Sequence, residues 1–386
     1  MKKENILYIL RDNTIFLYFY RITIYNVKLL CLLLRFKYLE INNNSIECKY
    51  HTIMTIINNI EIDHIFVSPD KTKMAILNND PIDNVLHVVC VISNPCMYAT
   101  RYILAKEFIK RMEFEPNIQL YVCELIYSDQ EQTKFYVTDT KNPRHLRIKT
   151  NTPLWHKENM INVVIREKLP KCWKAVAWID ADLHFESCSW ASDTLKVLNG
   201  QYDIVQIFSH CVDMDKKENT MQVFQSFGYK YANEREYKQN GPDFWHPGYA
   251  WACTRKAYDK MGGLYDLSIL GSGDHNMSFS LLGKSELSLN DYVHEDYKDS
   301  VYQYQKNMQQ LRLGYVPGVI KHFFHGTKKN RKYSERWQIL VKHEYSPYRH
   351  MVRDTNGILQ PSTECPSDLL IDILNYFKER NEDDFA

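Results

Sequence analysis

With 386 residues, 45% of them apolar and 25% charged, the chain has a globular composition and length enough for one large domain or two ordinary ones. A formal net charge of +1 lacks the basic excess on which bulk nucleic-acid binding depends, so no nucleic-acid partner is expected. Ten cysteines occur without a C-x-x-C pair, and Cys90, Cys123 and Cys253 sit in apolar runs, which points to a reducing compartment and a cytoplasmic location.

Residues 1–60 read as a poorly specified N-terminal extension, with Met54 as an alternative start. The apolar run 27–36 is too short to span a bilayer, which takes about 20 apolar residues. Arg11, Asp12, Arg21 and Lys28 interrupt the longer run around it, and no small-residue cleavage site follows. Membrane association is therefore not expected.

The pattern changes at Val85. "VLHVVCVI" (85–92) is a near-continuous apolar run, the pattern of a strand buried on both faces. Residues 98–112 carry helical spacing at Ile103, Phe108 and Met112, and 118–126 reads as a second strand. Residues 157–169 form a helix with Met160, Val163 and Val164 on one face, closed by Pro170. "AVAWID" and "DIVQIF" (203–208) make two more strands. Strand and helix in alternation imply an α/β layered domain, a three-layer sandwich with a mainly parallel sheet, over 80–357. The remaining segment, 358–386, reads as an amphipathic helix that dissolves into a solvated acidic tail.

In such sheets ligands bind outside the carboxyl ends of the strands. "VAWIDADLHFE" (176–186) sets Asp180 and Asp182 at such an end. Two like charges beside a core repel one another, and residues two apart on an extended chain point to one side. The pair is thus placed to converge on a cation, with Mn2+ or Mg2+ fitting oxygen ligands that bridge to phosphates. The alternative is a turn cap and an exposed carboxylate. Further on, "GYVPGVIKHFFHGTKKNRKY" (314–333) carries His322 and His325, able to supply nitrogen ligands, and then Lys328, Lys329 and Arg331, able to hold a diphosphate. Structural histidines and a solvated basic face are the plainer alternatives. In "FWHPGYAWACTRKAYDKMGGLYDLSILGSGDHNMSFSLLG" (244–283), Trp245, Tyr249 and Trp251 suit packing against a sugar ring or, equally, an aromatic core. Asp274, after Gly271, Ser272 and Gly273, is either a helix cap or a base for a hydroxyl proton.

Residues 85–357 resemble a glycosyltransferase of the GT-A fold, related to family 2-type and galactosyltransferase-like enzymes. "WIDADLHF" resembles the family's DxD motif. The resemblance implies that Asp180 and Asp182 hold the metal and the diphosphate of a nucleotide sugar, with His325 as first choice and His322 as second for a further ligand. "MGGLYDLSILGSGDHNMS" resembles the acceptor region, which implies Asp274 as catalytic base beside Gly273, although the family's usual acidic pair is reduced here to one. Lys157 and Asn162 correspond to a helix lining the donor site. Ser93 and Asn94 follow the first strand, where such folds seat the nucleotide base, and Lys328 and Arg331 would add contacts to the diphosphate. The implied reaction moves a monosaccharide from a nucleoside-diphosphate sugar to a glycan or other hydroxyl acceptor, inverting the anomeric centre. A nucleotidyltransferase using the same carboxylates, or a non-catalytic carbohydrate-binding protein, remains an alternative.

Overall fold

A computed structural model describes residues 7–11, 14–18, 40–42, 45–49, 55–57, 59–63, 65, 68–77, 84–233, 235, 237 and 244–384. The chain divides into two units, Met1–His64 and Ile65–Ala386. In the first, strands Leu7–Arg11, Thr14–Tyr18, Ser45–Lys49 and Glu40–Asn42 form an antiparallel sheet, and Thr55–Ile57 pairs with Ile60–Ile62. The apolar run 27–36 and Met54 lie outside the described residues.

The second unit is built on a seven-stranded sheet. In chain order its strands are β1 (Leu86–Ser93), β2 (Ile118–Tyr127), β3 (His145–Thr150), β4 (Ala175–Ile179), β6 (Ile204–Gln206), β9 (Ala250–Thr254) and β10 (Leu313–Tyr315). They lie side by side as β10-β6-β9-β4-β1-β2-β3. Strand β9 runs antiparallel to both neighbours, with Trp178 opposite Trp251, while every other pairing in this sheet is parallel. The chain is therefore a mixed α/β protein with a large, mainly parallel central sheet, as the sequence pattern predicts.

Both faces of this sheet are covered, which explains the unbroken apolar runs. Along β1, Val88, Cys90 and Ile92 face one way and Val89 the other; along β4, Ala175, Ala177 and Ile179 oppose Val176 and Trp178. The first set packs with Phe108 of helix α1 (Ala99–Met112) and Leu195 of α3 (Trp190–Leu198). The second packs with Met160, Val163 and Val164 of α2 (Lys157–Lys168). In α1 the expected face is partly wrong. Ile103 is 55% exposed, and the buried stripe is Ala105, Phe108, Ile109 and Met112, which keeps the i, i+3, i+4 spacing a single face requires.

A second, four-stranded sheet takes over where β4 ends. Its strands are β5 (Leu183–Phe185), β7 (His210–Met214), β8 (Thr220–Gln225) and β11 (Val319–His322), in the order β5-β11-β7-β8. Two further helices matter below, α4 (Gly273–Leu281) and α6 (Ser367–Glu379). Helix α6 is not a separate appendage, because Leu369, Ile373, Tyr376 and Phe377 are buried in the same core as α2. The acidic tail after it is not wholly solvated, since Glu382 is only 2% exposed and Asp383 and Asp384 are partly buried.

Phe108 is fully buried between α1 and the central sheet. Phe108→Ala is expected to cost about 3–5 kcal/mol of unfolding free energy, read from the midpoint shift of urea denaturation at unchanged slope.

Candidate active site

The chain leaves the central sheet at Ile179, opposite Ala250, and the Asp180 amide donates to the Tyr249 carbonyl (3.1 Å). Ala181 and Asp182 then form a turn into β5. This corrects the extended-chain expectation: the two carboxylates do not share one partner. Asp180 Oδ1 lies 2.5 Å from Lys157 Nζ at the start of α2. Asp182 Oδ2 lies 2.9 Å from His325 Nε2 and 3.8 Å from His322 Nε2.

Sheet register makes the second grouping. Strand β11 lies between β5 and β7, so His322 stands opposite Leu183 on one side and Asp213 on the other. The Phe323 amide donates to the Asp182 carbonyl (2.9 Å), tying the turn to the end of β11. Asp213 Oδ1 lies 2.6 Å from His322 Nδ1, and Lys328 Nζ lies 2.5 Å from Asp213 Oδ2. The Arg331 guanidinium donates to His325 Nε2 (2.9 Å) and to the Tyr333 hydroxyl (3.1 Å).

These pairings separate the two acids electrostatically. Burial pushes the Asp180 carboxyl up to about 6, opposed by Lys157 and reinforced by Asp182. Burial would also raise Asp182, but His325, His322 and Arg331 outweigh it and hold that carboxyl well below the usual range. Asp213 is held at about 2, burial being overcome by His322 and Lys328. Burial lowers His322, partly offset by Asp182 and Asp213, so the imidazole tends to the neutral form a metal needs.

The donor set fits a divalent cation. Ligating atoms of Asp182, His322 and His325 lie within 4.8 Å of one another, and Asp182 Oδ1 is buried without a hydrogen-bond partner. Asp180, expected as a ligand from the sequence, falls outside this cluster because Lys157 engages it.

Beyond the cluster lies a small cleft lined by Lys157, Glu158, Tyr249, Gly273, Asp274 and Met277, with room for about one water molecule. Helix α4 begins at Gly273, with Ser272 in left-handed geometry before it, so Asp274 lies in the first turn and is not the cap. A Cβ on Gly273 would come within 2.6 Å of the Glu158 carboxyl carbon, so only glycine allows this approach. Glu158, missed in the sequence, supplies a second acid here from α2, buried to 7% exposure. Tyr249 connects cleft and cluster. Its φ of 83° is a left-handed conformation rare outside glycine, and its ring stacks on His246 (4.3 Å, 7°) and lies 4.8 Å from that of His322. Burial pushes the His246 imidazole down to about 3, although Asp274 pulls it up.

Other expected residues serve the frame. Asn162 donates to the Leu264 carbonyl and accepts from the Leu264 amide (2.8 Å each), so it braces the segment before α4 and does not line a donor site. Trp245, 5% exposed against Phe227, is a core aromatic, whereas Trp251, 1% exposed in central β9 with its indole N–H on the Pro247 carbonyl (2.7 Å), lines the floor of the Asp274 cleft. Asn94 closes its own loop through the Tyr98 backbone. Ser93 lies in a separate shallow hollow with Arg101, Trp155 and Arg380. Lys328 is committed to Asp213 and Arg331 to His325. Of the residues the sequence missed, Asp213 had a usable signal, a carboxylate inside the apolar strand "HCVDM", whereas Glu158 looked like an ordinary first-turn helix acid.

The chain matches no protein-family model and no curated protein by sequence. It is similar in fold to the catalytic domain of Drosophila β1,4-galactosyltransferase 7, solved with xylobiose and, as a variant, with manganese, UDP-Gal and xylobiose. Identities are 9% and 10%, over 75% of this chain and 98% of that one, at TM-scores of 0.32 and 0.34. It is also similar to 4-diphosphocytidyl-2C-methyl-D-erythritol synthase of Anaerococcus prevotii (9% identity, 66% of this chain and 96% of that one, TM-score 0.33). A third is the inositol-1-phosphate CTP transferase of T. maritima (8% identity, 59% and 97% covered, TM-score 0.28). By their names these neighbours include both sugar and nucleotidyl transferases. Among the described residues no helix is long and apolar enough to cross a membrane.

Burial pushes the Glu158 carboxyl up to about 8 from its ordinary 4.5, with Lys157 pulling it down and Asp274 pushing it further up. The folded chain therefore binds this proton more tightly than the unfolded chain, a contribution fully present below 4.5 and lost as pH rises through 8. Wild type is expected to lose melting temperature across that window relative to Glu158→Gln; parallel curves for the two proteins would contradict the assignment.

Proposed function

We propose that this chain is a metal-dependent glycosyltransferase, moving a monosaccharide from a nucleoside-diphosphate sugar to a hydroxyl acceptor. The observation that carries the reading is the convergence of Asp182, His322 and His325 at the carboxyl end of β4, with the Asp274 cleft adjoining it across Tyr249. Asp182, His322 and His325 would hold Mn2+ or Mg2+, which when bound supplies Lewis-acid neutralisation of the departing diphosphate. Arg331 and Lys328 add positive charge beside that place, and Lys157 keeps the neighbouring Asp180 from standing as an unpaired charge.

Asp274 takes the proton from the acceptor hydroxyl as its oxygen bonds to the anomeric carbon and the bond to the diphosphate breaks. Attack from the face opposite the leaving group inverts that centre. Glu158 is protonated at neutral pH, so it stands beside Asp274 as a neutral hydrogen-bond donor and not as a competing base. Because the cleft has room only for about one water, the acceptor lies at its mouth or opens it.

A screen of nucleotide sugars for Mn2+-dependent thermal stabilisation is expected to find a donor, since ligand above its dissociation constant raises stability by mass action. Asp182→Ala should abolish both the stabilisation and donor hydrolysis. If the stabilisation and turnover persisted in that variant, the metal assignment would be wrong. Asp274→Asn should lower transfer about 100- to 10,000-fold while donor stabilisation survives; full-rate transfer would remove Asp274 as the base. Pyrophosphate release from a nucleoside triphosphate, with no response to nucleotide sugars, would indicate nucleotidyl transfer instead.

A further inference from the structure

Each histidine of the cluster has two ring nitrogens, and the atoms on the far side of each ring are as specific as those on the near side. Behind His322, Asp213 Oδ1 lies 2.6 Å from Nδ1, and Asp213 is 1% exposed. Behind His325, Glu382 Oε2 lies 3.5 Å from Nδ1, and Glu382 is 2% exposed. On the near side the two Nε2 atoms lie 3.2 Å apart, and that of His325 is 2.9 Å from Asp182 Oδ2. The Arg331 guanidinium lies 2.9 Å from His325 Nε2 and 3.4 Å from Nδ1, so the proton's place is set by which carboxylate takes it, and a proton on Nδ1 faces Glu382 and leaves Nε2 bare for a cation beside Asp182.

We propose that Asp213 and Glu382 are positioning residues that fix the orientation and Nδ1–H tautomer of His322 and His325, so that both bare Nε2 atoms point at Asp182. This rests on the metal reading given above and brings Glu382, after α6, behind the metal site. A carboxylate behind a ligating imidazole sets the ring's orientation and raises its basicity. Asp213 arrives by strand register, since it stands opposite His322 where β7 runs beside β11.

Glu382 arrives through a docked tail. Its carboxylate binds Arg101 and Arg380, at 2.6 Å from Arg101 Nη2 and 2.8 Å from Arg380 Nε. The Tyr98 hydroxyl donates to the Phe377 carbonyl (2.8 Å) and accepts from the Asn381 amide (3.1 Å). Asp383 accepts from the Ala99 and Thr100 amides at the start of α1 (2.8 and 2.9 Å). Gly326, directly after His325, has φ of 87°, and a Cβ there would lie 3.0 Å from the Glu382 Cα. The tail backbone therefore rests against the turn that carries His325.

The test is Mn2+ binding to the full chain, measured by titration calorimetry without any sugar donor. Asp213→Asn and Glu382→Gln are expected to weaken Mn2+ binding about 10- to 100-fold each. Asp383→Asn removes one of the two hydrogen bonds that dock the same tail but touches neither histidine; it should lower the melting temperature and leave Mn2+ affinity unchanged. In the wild type loaded with diamagnetic Mg2+, nitrogen-15 spectra of the imidazoles should show Nδ1–H for both rings. The proposal is overturned if both carboxylate variants bind Mn2+ like wild type, if Asp383→Asn weakens it as much as Glu382→Gln, or if the rings carry Nε2–H. Absence of Mn2+ binding by wild type would overturn the metal reading and this proposal together, whereas normal wild-type binding with unaffected variants overturns this proposal alone.

Discussion

Ala181 and Asp182 form a turn between two sheets, and the site depends on it. Up to Ile179 the chain belongs to a core covered on both faces, where an ionised carboxylate is costly. From Leu183 it is an edge strand of a second sheet, paired to β11. The turn therefore delivers two carboxylates into two environments. Asp180 stays on the side of α2 and meets a lysine, while Asp182 swings to β11 and meets two imidazoles. One short segment thereby couples the end of the central sheet to a nitrogen-rich pocket, and Tyr249, whose carbonyl holds the Asp180 amide, carries the connection on to the Asp274 cleft.

The chemistry that follows is a division of charge. Each positive group named around the site is already balanced by a carboxylate: Lys157 by Asp180, Lys328 by Asp213, Arg101 and Arg380 by Glu382. Such pairs cost desolvation and add little net stability, so their value lies in fixing geometry. Across the cleft the order reverses, with burial leaving Glu158 protonated near neutral pH beside Asp274. The two halves of the site thus differ in what they can do, one suited to holding a cation and anionic phosphates, the other to handling a proton.

Much of this was legible in the sequence where the signal was local. Strands β1, β2 and β4 announce themselves because burial on both faces leaves no polar alternation, and Asp180 and Asp182 stand out because carboxylates at the end of such a strand need partners. His322 and His325 were visible by their spacing, and the structure brings them to Asp182. What was hidden is non-local. In the second sheet the short strand β11 pairs with β5 and β7, and Asp213 lies 109 residues from His322, so neither the separation of Asp180 from Asp182 nor the approach of Asp213 could be read. Trp245 and Trp251 stayed open between core and sugar site because an aromatic beside glycine looks the same in both; the fold buries Trp245 and sets Trp251 beneath the Asp274 cleft. Glu382 lay in an acidic run that resembles any solvated tail, and only the docking of α6 turns it inward.

The central claim is that His322 and His325 bind one divalent ion through Nε2 together with Asp182. Electron spin-echo spectroscopy of the Mn2+-loaded chain tests it most directly, because a bound imidazole nitrogen modulates the echo. The account predicts couplings from two imidazoles, with one lost in His322→Ala and the other in His325→Ala. A manganese signal showing only water and no imidazole coupling would contradict it.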